Sequence, residues 1–370
     1  MDEVHGRRIT SVMNSLPPEV GVFMSTPSAT LRYLTGLRLH KSERPLLAFF
    51  FRDEDPIFLA PTLEKDRLST HCGSSLRIDT YDDSSNPVSA ARSTFSRLYD
   101  HQMPDGLLAV EYDSTRLLEC EVVEKYFQPS DLVNASKAIS TKRMQKDNRE
   151  ISSLRNAAEI TDRILSEVVE SVEPGVTEAE IQREIRERVL LSDAESFGVD
   201  IVTSGPRTAN PHANTSDRVI EEGDPLMIDT GVVYQGYYSD ITRTFAVGDF
   251  SDEFATMYET VKDAARKARE AVKSGVECGT IDKKAREVII DRGYGEYFPH
   301  RVGHGIGLES HEPPYLATNN DAPLRPGSVI TVEPGIYIEG IGGVRIEDDL
   351  LVTETGAEVL TNAPRELAIL

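Results

Sequence analysis

The stretch Leu226 to Phe245, LMIDTGVVYQGYYSDITRTF, carries two aspartates inside otherwise apolar, strand-like runs. Leu226 to Thr230 reads as a buried strand bearing Asp229, and Ser239 to Phe245 as a second strand bearing Asp240. With a tight turn between Tyr234 and Gln235, the two carboxylates face each other directly across an antiparallel pair, about 5 Å apart at Cβ. Like charges on one buried face are destabilising unless something positive lies between them, and a bound cation is the simplest candidate.

The pattern recurs downstream. Ile330 to Ile338 carries Glu333, Val344 to Val352 carries Glu347, and the connecting turn holds Gly340, Gly342 and Gly343. An even separation across an odd-length loop again puts both carboxylates on one face. Either pair alone reads as acids on a solvated strand face. The apolar neighbours Met227, Ile228, Val332 and Ile346 argue against that reading.

Outward from these hairpins, helices and strands come in separated runs. Strands dominate Val199 to Val247, helices are expected over Asp252–Ser274 and Thr280–Arg292, and strands return from Arg301 to the end. Upstream, Ile151, Leu154, Ala158, Ile160 and Ile164 give a helical stripe that stops at Pro174-Gly175, and Thr177 with Glu180 forms a capping box for the next helix. This half is α+β rather than a doubly wound parallel sheet. From Glu19 to about Asp131 short strands (Val20–Met24, Leu46–Phe51, Ile57–Ala60, Leu76–Thr80, Leu107–Glu111) alternate with helices (Asn86–Tyr99, Thr115–Phe127), an α/β domain of its own. The polar stretch Ser136 to Asn148 reads as the connection. The boundary is set near Ser140, giving domains 1–138 and 139–370.

Eight histidines occur, and the four beyond residue 140 are His212, His300, His304 and His311. His304 sits in GHGIG, where glycines let the backbone come close to a ligand. Four histidines confined with two carboxylate hairpins read as one site. Four carboxylates and one imidazole suit two divalent ions better than one structural zinc; the oxygen-rich set leans toward manganese, with iron, cobalt or zinc open.

Forty basic against 62 acidic side chains leave a formal charge of −22, which argues against nucleic acid and anionic lipid as partners. The bases are 29 Arg and 11 Lys, a bias similar to proteins of salt-accumulating microbes, with an acidic mesophile protein as the competing reading. No segment offers the roughly 18 to 20 continuous apolar residues of a membrane span. Met1 to Thr10 lacks an apolar run behind its charges, so no secretory signal is expected and the chain is placed in the cytoplasm. Cys72, Cys120 and Cys278 are scattered and read as free thiols.

The strings PHA (211–213), MIDTG (227–231), SDITRT (239–244), HRVGHGIGLESHEPP (300–314), TVEPGIY (331–337) and GGVRIEDD (342–349), in this order, resemble the "pita-bread" metallopeptidase family. That family comprises Xaa-Pro dipeptidases (prolidases), Xaa-Pro aminopeptidases, methionine aminopeptidases and the metal-free creatinases. The resemblance extends to the creatinase/prolidase N-terminal domain at Tyr33-Leu34-Thr35-Gly36. It implies a curved antiparallel sheet covered by helices. Asp229 would be the bidentate ligand of one metal, Asp240 and Glu347 the bridging carboxylates, and His304 and Glu333 the completion of the second metal. It further implies His212 and His311 near the substrate carbonyl and amine, stabilising the oxyanion. Glu333 would be general base and later acid toward the leaving proline nitrogen. His300 and Arg345 match positions lining the site in the proline-specific branch, Arg345 either orienting a bridging carboxylate or meeting a substrate carboxylate. A homodimer is implied, the N-terminal domain helping to form it. Dipeptidase and aminopeptidase both remain open: the arginine-bearing insert of certain prolidases is not visible in Tyr315 to Pro326. The same scaffold would also serve a non-peptide amidohydrolase or a metal-free binding protein.

Overall fold

The computed structural model describes residues 3–72, 76–82 and 86–370. Of the N-terminal stretch considered above, Met1 and Asp2 lie outside the described residues. The chain divides into two compact units, Met1–Arg143 and Met144–Leu370.

In the first unit the runs of Val, Leu and Phe form six short strands: β1 (Val20–Ser25), β2 (Leu47–Phe50), β3 (Ile57–Pro61), β4 (Arg77–Tyr81), β5 (Leu107–Val110) and β6 (Leu132–Asn134). They make one mixed sheet in the order β4-β3-β2-β1-β5-β6. Its core gathers Phe49, Leu59, Phe95, Leu108, Val122 and Phe127. Helices α1 (Glu3–Met13), α2 (Ala29–Thr35) and α3 (Lys65–Cys72) precede α4 (Pro87–Gln102) and α5 (Leu117–Val123). The first three escape the sequence reading, α2 and α3 because each spans only about two turns. In α2 the signals are nonetheless present: the Ser28 hydroxyl accepts from Leu31 N, and Gly36 ends the helix at φ 74°. The polar connection expected over Ser136–Asn148 is instead largely a helix, α6 (Ser136–Met144).

In the second unit α7 (Asn148–Val169) and α8 (Glu178–Leu191) are each fixed by a capping box, Asp147 with Glu150 and Thr177 with Glu180. α7 ends five residues before the expected Pro174 stop. The two helices bury Ile164, Leu165, Ile181 and Ile185 against Val202, Ile228 and Ile241, on a sheet of β7 (Ser196–Ser204), β8 (Pro225–Tyr234), β9 (Tyr237–Tyr238) and β10 (Ile241–Ala246). A second pair, α9 (Asp252–Ala271) and α10 (Cys278–Asp291), covers the next sheets through Met257, Val261, Ile281 and Ile289. Those strands are β11 (Gly303–Gly305), β12 (Glu312–Leu316), β13 (Val329–Val332), β14 (Gly335–Ile338), β15 (Gly342–Arg345), β16 (Asp348–Val352) and β17 (Ala357–Val359). Their order is β12-β11-β13-β16-β17, with β14-β15 as a separate hairpin. Helix pairs segregated onto largely antiparallel sheets make this unit α+β.

Cys120 and Cys278 are free thiols, and burial pushes the Cys278 thiol up to about 11 and raises that of Cys72. Among the described residues no helix is long and apolar enough to cross a membrane.

Candidate metal centre

The turn between β8 and β9 is centred one residue later than the sequence suggests. Gln235 (φ 49°) and Gly236 (φ 89°) are its two corner residues, and Tyr234 pairs with Tyr237. The later centre moves the register so that Asp229 faces Thr242, not Asp240. The two aspartates are therefore diagonal rather than opposite, yet they keep the same face because the shift is by two. The downstream hairpin matches its expectation. Val332 pairs with Asp348 and Gly335 with Arg345, one continuous register that sets Glu333 opposite Glu347 where the ladder opens at Pro334.

β11 brings the imidazole. Its glycines serve strand packing rather than ligand approach: a Cβ at Gly303 would lie 2.0 Å from Thr331 O on β13, and one at Gly305 2.4 Å from Pro313 O on β12. His304 is thereby wedged between the two neighbours and buried. Its Nδ1 lies 3.0 Å from the Gly305 carbonyl, so the proton sits there and Nε2 presents a lone pair 3.4 Å from Glu333 Oε1. Burial, then the neighbouring His311, pushes the His304 imidazole down to about 3, so it is neutral.

Donor atoms converge in three overlapping groups, each within 4.8 Å: Asp229, Asp240 and Glu347; His304, Glu333 and Glu347; and Asp240, His304 and His311. The acids are poorly compensated. Asp229 Oδ1 and Asp240 Oδ1 are buried without a hydrogen-bond partner among the described residues. Burial, reinforced by the mutual repulsion of the carboxylates, holds Asp240 and Glu347 well above the usual carboxylate range and raises Glu333 to about 7. Orphaned oxygens, a deprotonated imidazole nitrogen and carboxyls that burial keeps from ionising are what a site for divalent cations presents. These residues fit such ions.

Around them lies a cavity of about 360 Å³, lined by Pro211, His212, His300, Arg301, His304, His311, Glu333 and Arg345. His212 is exposed on it, its backbone N–H donating to Asn210 Oδ1 at 3.0 Å. The His311 ring packs 3.9 Å from that of His304. Arg345 is buried and committed: it donates to Asp229 Oδ2, to Thr242 Oγ1 (2.9 Å) and to Tyr337 Oη (3.3 Å). Thr242 Oγ1 in turn donates to Glu347 Oε2 at 2.6 Å. His300 Nδ1 faces the Arg301 carbonyl at 2.8 Å, leaving Nε2 to accept from the Tyr337 hydroxyl at 3.0 Å. Burial drives His300 down to about 4, a neutral ring.

Every residue singled out from the sequence thus reaches this one region. Tyr337 and Thr242 were not singled out, although strand parity signals both: Tyr337 shares the face of Glu333, and Thr242 that of Asp240.

Residues 152–354 match metallopeptidase family M24, and residues 18–145 match the creatinase/prolidase N-terminal domain. The chain is 41% identical over 248 residues to a Xaa-Pro dipeptidase of Pyrococcus horikoshii, covering 67% of this chain and 71% of that one. It is similar over the full length of both chains to the crystal structure of recombinant prolidase from Thermococcus sibiricus, with a TM-score of 0.91 and 34% identity. The Xaa-Pro dipeptidase from Bacillus anthracis superposes with a TM-score of 0.89 at 32% identity, over 99% of this chain and 100% of that one. The chain belongs to metallopeptidase family M24 and carries a creatinase/prolidase N-terminal domain in front of the peptidase unit.

Proposed function

We propose that the chain is a Xaa-Pro dipeptidase working with two divalent ions, manganese by preference, and that residues 139–370 contain its whole catalytic set. The observation that carries this is the convergence of Asp229, Asp240, His304, Glu333 and Glu347 in overlapping donor groups beside a histidine-lined cavity. The activities named for the relatives above support the substrate class.

In this reading Asp229, Asp240, His304, Glu333 and Glu347 would hold the two ions. Bound there, they would supply Lewis acidity toward the scissile carbonyl and toward water. Oxygen donors outnumber nitrogen, which favours manganese. Glu333 takes up at Oε the proton that water gives up and returns it to the departing proline nitrogen. His311 and His212 donate to the carbonyl oxygen as it becomes an oxyanion, a task typically worth about 3 to 4 kcal/mol per donor. Arg345 meets Asp229 rather than the substrate, orienting that carboxyl and offsetting part of the upward push of burial on it. His300 offers a neutral ring toward the substrate. The creatinase-type first domain supports a homodimer, which light scattering on the purified protein checks.

The deciding assay offers a Xaa-Pro dipeptide, a Xaa-Pro tripeptide and the matching Xaa-Ala dipeptide to manganese-loaded enzyme. The Xaa-Pro dipeptide is expected to be cleaved about tenfold or more faster than either. A preference for the tripeptide makes the protein an aminopeptidase. Inactivity toward all three with metal bound points to a non-peptide amidohydrolase, and failure to bind manganese, cobalt or zinc to a binding protein.

A further inference from the structure

A dipeptide differs from any longer peptide at one place near the scissile bond. The carboxylate carbon of its second residue is two bonds, about 2.5 Å, from the nitrogen to be released. Whatever recognises that charge must therefore line the same cavity as the residues around the reacting amide. In a longer peptide the same position is a neutral amide.

The cations of the cavity are few. His300 Nε2 accepts from the Tyr337 hydroxyl, and His304, its Nδ1 on the Gly305 carbonyl, turns Nε2 to the acids of the metal centre. Arg345 is taken up by Asp229, Thr242 and Tyr337. Arg286, in the adjoining depression that shares His300 and Arg301, is saturated by Asp282 and by the carbonyls of Phe298 and His300. Arg301 is different. Its guanidinium lies 4.2 Å over the Tyr315 ring and makes no hydrogen bond or ion pair among the described residues. It is half-buried, lines the cavity, and its charge is felt at His304, His311 and Glu333.

Stacking on an aromatic face fixes the plane of a guanidinium while leaving its in-plane N–H donors unused. Those donors form a fork matched to a carboxylate. The carboxylate also needs such a partner, because Asp229, Asp240, Glu333 and Glu347 would otherwise repel it. We propose that Arg301, held on Tyr315, receives the free C-terminal carboxylate of the substrate and so restricts the enzyme to dipeptides. The inference rests on the Xaa-Pro reading for the identity of the scissile bond and on the cavity alone for the carboxylate. It places the cation in HRVGH (300–304), three residues before His304. A longer peptide leaves the half-buried guanidinium unpaired, so it is selected against as well as less attracted.

The test compares a Xaa-Pro dipeptide with its C-terminal amide on manganese-loaded wild type, Arg301→Ala and Arg301→Lys. Arg301→Ala should lower kcat/KM for the free carboxylate about ten- to a hundredfold, mainly through KM, with the loss on the amide smaller by about tenfold or more. Arg301→Lys should recover part of the loss, since it restores the charge and not the fork. Equal losses on both substrates, or none on the dipeptide, overturn the proposal. Calorimetric binding of L-proline against L-prolinamide to the same proteins decides it without turnover. Wild type should prefer proline about tenfold or more and Arg301→Ala should not. Absence of that preference in wild type also overturns the proposal. Failure to cleave Xaa-Pro peptides alongside a clear preference for proline would instead reject the peptidase reading and leave Arg301 as the carboxylate site.

Discussion

Glu347 and Asp348 are consecutive, both buried, and point to opposite faces of one chain segment, where they meet opposite solutions to the same electrostatic problem. On one face Glu347 joins Asp229, Asp240 and Glu333 with Arg345 as the cation among them, and burial holds its carboxyl well above the usual range. On the other face burial would likewise raise Asp348, yet Arg243, Arg365 and Arg269 hold it below the ordinary value. Arg243 donates to its Oδ1 at 2.7 Å, Arg269 to its Oδ2 at 2.9 Å, and Arg365 to both oxygens at 2.8 Å. Around Asp348 the chain itself supplies the counter-charge. Around Glu347, four carboxyls share the single guanidinium of Arg345 and burial holds several of them above their usual range, as a cation site presents and a merely structural ion-pair network does not.

The largest effect expected from this contrast follows from Asp240→Asn. It should abolish stoichiometric metal binding and lower activity by roughly a thousandfold or more, with metal content read by elemental analysis. In metal-free protein the same change should leave the melting temperature equal or higher, because an amide of similar volume takes the place of a carboxyl that burial and its acidic neighbours already disfavour in the charged form. His311→Ala should lose activity while keeping its metal; loss of metal there would move His311 into the ligand set, as its proximity to Asp240 and His304 allows. A metal-free Asp240→Asn that melts well below wild type would break the contrast.

The second effect has the opposite sign. Asp348→Asn leaves three arginines around a neutral group and should cost about 3 to 5 kcal/mol, on the order of 10 °C in melting temperature, with or without metal. An unchanged melting temperature would mean the arginines are neutralised by something other than Asp348.

The two clusters are unequally legible in the sequence. Glu333 and Glu347 are placed correctly because the glycine-bearing turn leaves one reasonable centre and parity does the rest. Asp229 and Asp240 receive the right face but the wrong partner. Gln235-Gly236 lacks the Asn-Gly or Asp-Gly signature that marks a turn of this kind, and the centre slips by one residue. The Asp348 cluster is invisible. An arginine on a strand reads as surface, and nothing local announces that Arg243 is 1% exposed, with Pro364 and Ala363 accepting from it across the fold. Arg301 can be quoted as part of a motif, but that its guanidinium stacks on Tyr315 and makes no hydrogen bond or ion pair among the described residues is a property of the folded cavity.

A third effect separates metal-free from metal-loaded protein. Without metal, Glu333 in the fold protonates near 7 against about 4.5 when exposed, so between those values the folded chain holds a proton that the unfolded chain has released. Stability from this group is full below about 4.5, falls by about 1.4 kcal/mol per pH unit as pH rises, and levels off above 7. Chelator-treated protein should therefore melt progressively lower from pH 5 to 7. Manganese should flatten the profile, since ions displace the proton. Parallel profiles with and without manganese would show that the acids of the first cluster do not face a bound ion.

The smallest effect lies on the surface, where neither solution is needed. Arg155 forks onto Glu358 at 2.8 and 2.7 Å, with both side chains nearly half exposed (49% and 42%). Water already solvates these charges, so Arg155→Ala should cost less than about 1 kcal/mol. At about 1 M potassium chloride the Debye length shrinks to about 3 Å and most of that difference should vanish, whereas the Asp348→Asn deficit, out of reach of salt, should persist. The hydrogen bond from Arg155 holds the Glu358 carboxyl below its usual value. The pair's contribution is therefore present above the ordinary glutamate pKa and lost as pH falls through the lowered one, the reverse of the sign expected for Glu333. Melting curves of the two variants at low and high salt measure both contrasts together. A salt-sensitive Asp348→Asn deficit would place that cluster within reach of solvent, and a salt-insensitive Arg155→Ala deficit would mean that this pair stabilises through packing of the arginine stem and not through charge.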